Sequence, residues 1–228
     1  MSGGAAHGVE STRSVLRTPR AAAIAGILFA VLLGTALILM QVATPSDPNQ
    51  AGRLLEDEWR RRSVTIALNL FPFAGLAFVW FIGVVRDRVG EFEDRFFATV
   101  FLGTGLLFVA MLFVTAAVGG GLLEAEGSRG SAAVSPEVWR FGRHVTYLVL
   151  TVYCMRMAGA FTLVTTTIMV RLRIVPRWLA ASGVVIGLLL LVSVQSFASV
   201  TILFPLWVLV LSIHFLVRQR ADRQAQSA

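Results

Sequence analysis

One arginine stands where arginines are rarely placed. Arg156 lies in the middle of the apolar run 144–170, about 18 Å along a helix from His144 and about 21 Å from Val170. A guanidinium at that depth in a bilayer costs about 2.5–3.5 kcal/mol on insertion scales. None of the long apolar runs of the chain contains a carboxylate. The counter-charge must therefore come from carbonyls freed at a helix kink, a water-filled cavity, an anionic ligand or lipid, or another subunit. Two neighbours are candidate partners. Tyr153 is one helical turn away, and Asn69 sits beside Pro72 in another run, where proline leaves the Leu68 carbonyl without its usual donor. Arg156, Asn69 and Tyr153 form the expected ligand-binding set. The structural alternative is an arginine bonded only to backbone, Asn69 or Tyr153.

Other reactive side chains are sparse. Cys154 is the single cysteine, so no intrachain disulfide forms, and its apolar surroundings predict a packed thiol. His7, His144 and His214 are far apart, and no Cys/His spacing suits a metal; neither metal nor cofactor is expected. Thr162, Thr165, Thr166 and Thr167 follow Arg156 on the same run and are expected to bond the carbonyls of their own helix. Gly159 and Ala160 permit close helix approach.

The elements that would position these residues are read from hydropathy. The 228 residues are 56% hydrophobic and 14% charged, with a mean hydropathy of +0.76. That is too little charge to cover a water-facing surface. The apolar residues fall in blocks of about 20, the length that crosses a bilayer. The fold class is therefore all-α, a polytopic transmembrane bundle of six spans at about 21–43, 63–85, 96–118, 144–170, 178–195 and 200–217. Residues 1–20 read as a mobile tail and 218–228 as a second, solvated tail. The first run exceeds the core of a cleavable signal peptide and is read as a retained span. Residues 51–62 look like a short interfacial helix with Leu54, Leu55 and Trp59 toward lipid. Gly119-Gly120-Gly121 is expected to end the third span, with a loop over 119–135. Ser135, Pro136 and Glu137 form a helix-start signal, and the helix they open is expected to run to about 172.

Charge sets the topology. All twenty basic residues are arginines, and the formal net charge is +7. Segments 1–20, 86–95, 171–177 and 218–228 carry three arginines each, which predicts both termini in the cytoplasm. No basic stripe with interleaved aromatics lies outside the spans, so nucleic acid is not an expected partner. The expected surroundings are the lipid bilayer, an anionic ligand or lipid, and a partner membrane subunit or further copies of the chain.

Three local resemblances add expectations. The segment Gly83-Val-Val-Arg-Asp87-Arg88-Val-Gly90 resembles the G-x-x-x-D-R-x-G loop between spans 2 and 3 of major facilitator transporters. The resemblance implies that Asp87 caps a neighbouring helix and that Arg88 braces an inner gate; the family continues with two basic residues where this chain has Glu91 and Phe92. A local charge clamp of Arg86, Asp87, Arg88, Glu91, Asp94 and Arg95 is the simpler account.

Ala180-Ala181-Ser182-Gly183-x-x-x-Gly187 is similar to the G-x-S-G-x-x-x-G segment of rhomboid intramembrane proteases. That family also has a six-span core, a Trp-Arg pair in the first loop (compare Trp59-Arg60) and a histidine in its last span. The resemblance implies a serine hydrolase with Ser182 as nucleophile and His214 as base. The alternative is a packing face made by Gly183 and Gly187. Over Leu68 to Gly105 the chain resembles a group of uncharacterised bacterial membrane proteins, which implies residence in a bacterial cytoplasmic membrane and no particular activity.

Three functions are carried forward. The first is binding or transport of a small or lipidic anionic ligand in an intramembrane cavity near Arg156. The second is an accessory or scaffold subunit of a membrane complex. The third is a hydrolase using Ser182 and His214.

Overall fold

A computed structural model of the chain describes residues 19–43, 57–89, 95–127, 135–192 and 198–227. Among these the structure is helical throughout, without strands. The helices are α1 (Pro19–Ala43), α2 (Glu58–Val89), α3 (Arg95–Gly127), α4 (Pro136–Leu148), α5 (Met155–Arg171), α6 (Arg177–Val192) and α7 (Leu203–Ser227). A π-helical segment, Val149–Cys154, joins α4 to α5 without a break, and a 3-10 turn, Ala198–Ile202, leads into α7. Counting α4, the π segment and α5 as one span, five helices among the described residues are long and apolar enough to cross a membrane. The sixth, α6, is apolar but only 16 residues long, about 24 Å. The all-α bundle expected from hydropathy is the fold observed.

Each helix packs on its neighbour in sequence, and α7 closes the ring against α1. Phenylalanines fill the centre. Phe78 of α2 touches Phe29 of α1 at a ring-centroid distance of 4.5 Å, Phe108 of α3 at 5.0 Å, Phe161 of α5 at 4.9 Å and Phe204 of α7 at 5.7 Å. Most of these contacts are edge-to-face, the geometry the ring quadrupole favours. The outer faces carry Phe73, Leu76, Trp80, Leu107, Val185 and Leu188, apolar as lipid contact requires.

The helix ends show how local signals compete with packing. Ser135 caps α4 as its sequence suggests, its hydroxyl accepting from the Val138 N–H at 3.4 Å. Asp57 caps α2 by accepting from the Trp59 N–H at 3.1 Å, and it pairs with Arg60 at 3.3 Å. Trp59 to Arg62 are therefore the first turn of α2 and not the end of a separate interfacial helix; residues 51–56 of that expected helix lie outside the described residues. Pro72 does not interrupt α2, which is continuous through it. The glycine triplet does not end α3, which continues to Gly127. Gly119 is buried between Leu68 and Thr146, and that contact outweighs the roughly 1 kcal/mol that a helical glycine costs. The second tail is likewise helical to Ser227, its Ala, Arg and Gln being good helix formers.

At one end of the bundle the chain turns from α5 to α6. Leu172 ends α5, Arg173 takes a left-handed conformation (φ 52°), and the Arg173 and Ile174 N–H groups donate to the Val170 and Met169 carbonyls. This is a Schellman closure with arginine where glycine is usual. Arg218 of α7 donates to the Ile174 carbonyl, and the Arg171 guanidinium lies 4.3 Å from the centre of the Phe97 ring. With Arg86 and Arg177, these residues make this the basic end of the molecule.

Candidate functional site

Arg156 is set in the first turn of α5, two residues after the π segment. Cys154 and Met155 beside it point inward: Cys154 is fully buried and its thiol donates to the Phe108 carbonyl at 3.7 Å. Arg156 is turned the other way and is exposed on the outside of the bundle. Tyr153, one turn earlier, is 56% exposed. Among the described residues no hydrogen bond or ion pair reaches the Arg156 guanidinium. The carboxylates whose side chains are described, Asp57, Glu58, Glu124 and Glu137, stand at the end opposite the basic end. Glu137 is about 28 Å from Arg156 along the helix.

The depth of Arg156 follows from its neighbours. Phe161 lies in the central phenylalanine cluster, so Arg156 stands about 7 Å from the level of the cluster. From Arg156 to Arg171 at the basic end is about 22 Å.

A second boundary runs past the same side chain. Gly159 and Gly187 pack against each other where α5 crosses α6. Beyond that crossing the described part of α6 runs to Val192, about 8 Å. The other helix runs back through the π segment to Pro136, about 35 Å. Arg156 is therefore level with the last described turn of α6.

The other expected site residues are not gathered around Arg156. Asn69 is exposed, and its amide donates at 2.9 Å to the Thr65 carbonyl of its own helix. No hydrogen bond connects Asn69, Tyr153 and Arg156. The Ser182 hydroxyl donates at 2.8 Å to the Leu179 carbonyl. The Nε2 of His214 is buried without a partner, so serine and histidine are not hydrogen-bonded to each other. In the charge clamp Arg86 is exposed; Glu91 and Asp94, with the side chains of Asp87, Arg88 and Arg95, lie outside the described residues. No group of three His, Cys, Asp or Glu side chains that could hold a metal occurs among the described residues.

Three threonines after Arg156 bond their own helix: Thr162 to Ala158, Thr165 to Phe161 and Thr167 to Leu163, at 2.7–2.8 Å. Thr166 does not. Its Oγ1 is buried without a partner, and so is Nε1 of Trp207 on α7. Both flank Gly183: a Cβ there would lie 2.2 Å from Thr166 Oγ1 and 3.1 Å from Trp207 Nε1. Composition gives no signal for this pair, because it depends on how α5, α6 and α7 meet.

No known protein family, curated protein or solved structure matches this chain.

Proposed function

We propose that this chain is a non-enzymatic subunit of a larger membrane assembly, seated in a bacterial cytoplasmic membrane with both ends in the cytoplasm. The observation that carries the proposal is the placement of Arg156. A cation on the lipid-facing side of a span, at a depth where the chain offers no acid, is stabilised only by a component outside this polypeptide. The three arginines in each of segments 1–20, 86–95, 171–177 and 218–228 support the orientation under the positive-inside rule.

Retention of a lipidic anion at the same side chain is the second reading; Tyr153 and Arg156 are exposed together, but a headgroup would have to be drawn well below the membrane surface to reach them. Carriage of a small anion through the bundle has no comparable support, since the Phe78 cluster fills the centre. The deciding experiment is purification of the tagged chain from its native membranes. A second protein at fixed stoichiometry is the expected result. A chain that purifies alone, with or without bound lipid, defeats the assembly reading.

A further inference from the structure

The missing counter-charge restricts what can sit against Arg156. A second copy of this chain does not supply it, because none of the apolar spans contains a carboxylate; apposed copies would bring one uncompensated guanidinium against another. A lipid phosphate lies at the membrane surface. Arg156 is about 18 Å along the helix from His144 and about 22 Å from Arg171, distances longer than an arginine side chain. An acid carried to mid-membrane on another helix supplies the counter-charge at that depth without thinning or wetting the bilayer.

The surroundings suit a helix. Tyr153, one turn before Arg156 on the same helix, is exposed. Tyr153 and Arg156 are three residues apart and so share one face. We propose that this face binds a single transmembrane helix of another protein that bears one aspartate or glutamate near its middle. The carboxylate accepts from the Arg156 guanidinium while its helix packs against Tyr153. This inference rests on the assembly reading and adds the chemistry of the partner.

The test uses the purified full chain in phosphatidylcholine nanodiscs and dye-labelled polyleucine helices carrying Asp, Lys or Leu at the central position. Binding is read by energy transfer. The Asp helix is expected to bind about tenfold more tightly than the Leu helix, and the Lys helix no better than Leu. Arg156→Gln should erase the preference and Arg156→Lys should retain part of it, with each variant first shown by its melting profile to be folded. Equal binding of the Asp and Leu helices, or a preference that survives in Arg156→Gln, overturns the proposal. So does phosphatidylglycerol that displaces the Asp helix and remains bound to wild type but not to Arg156→Gln, which assigns the side chain to lipid. A native partner that copurifies equally with Arg156→Gln leaves the assembly reading intact and removes this one.

Discussion

Gly159 and Gly187 bring α5 and α6 together backbone to backbone. A Cβ added at Gly159 would stand 2.8 Å from the Gly187 carbonyl oxygen, and one added at Gly187 would stand 2.7 Å from Leu163 and 3.1 Å from the Gly159 carbonyl oxygen. Backbone cannot yield as a flexible side chain can. In lipid, where helices gain little from burying apolar surface against each other, such close approach is the main source of attraction.

Gly159→Val should therefore separate the two helices and lower stability by about 1–3 kcal/mol. The thermal midpoint in detergent checks this. Gly34, with nothing within 4 Å of an added Cβ, supplies the control: Gly34→Ala should leave the midpoint unchanged or raise it slightly.

Thr166 and Thr162 are predicted to respond differently to valine. The Thr166 hydroxyl is buried without a partner, so Thr166→Val removes an unsatisfied group at nearly constant shape and should stabilise by on the order of 1 kcal/mol. Thr162 already bonds Ala158, and Thr162→Val should change stability little. A Thr166→Val protein that melts lower than wild type would mean that the hydroxyl has a bound partner.

Arg156→Leu should ease membrane insertion of the 137–171 span, in proportion to the roughly 2.5–3.5 kcal/mol that a central arginine costs. A glycosylation-based insertion assay of that span, wild type against Arg156→Leu, measures the difference. Equal insertion would place Arg156 nearer the membrane surface than its distance from the phenylalanine cluster implies.

Arg173 holds a left-handed conformation that costs a side-chain-bearing residue about 1–2 kcal/mol. Arg173→Gly keeps the Schellman closure and should be neutral or stabilising by up to about 1 kcal/mol, since glycine loses more freedom on folding. The melting midpoint decides.

Cys154 is fully buried against the Phe108 carbonyl. It should resist a membrane-permeant maleimide in the folded protein and react once the chain is unfolded in dodecyl sulfate. Labelling at equal rates in both states would contradict the packing of α5 on α3.

The bundle was legible in sequence because hydropathy blocks and capping residues are local signals. Ser135-Pro136-Glu137 located the start of α4, and no further proline comes before Pro176, so the helix it opens runs on to Arg171. Gly119-Gly120-Gly121 misled because glycine propensity is weak beside a packed contact, here Gly119 against Leu68 and Thr146. Arg156 was recognisable as a residue in need of a partner, yet the direction it faces was not. That direction depends on Cys154 and Met155 turning inward, and a one-dimensional apolar run without amphipathic contrast does not record it. The proximity of Thr166 and Trp207 was hidden for the same reason, since it is made by helices distant in sequence.

The π-helical stretch Val149–Cys154 winds with one residue more per hydrogen-bonded turn than an α-helix. If the same six residues wound as α-helix instead, they would turn about 100° further around the axis, and everything before them would swing by that amount. Gly142 and Thr146 would rotate away from Leu122 and Gly119, their present seats on α3, while Arg156 kept its bearing. The wider winding of these six residues thus sets the phase between the two halves of the span, so that one half stays fastened to α3 while the other holds its cation outward.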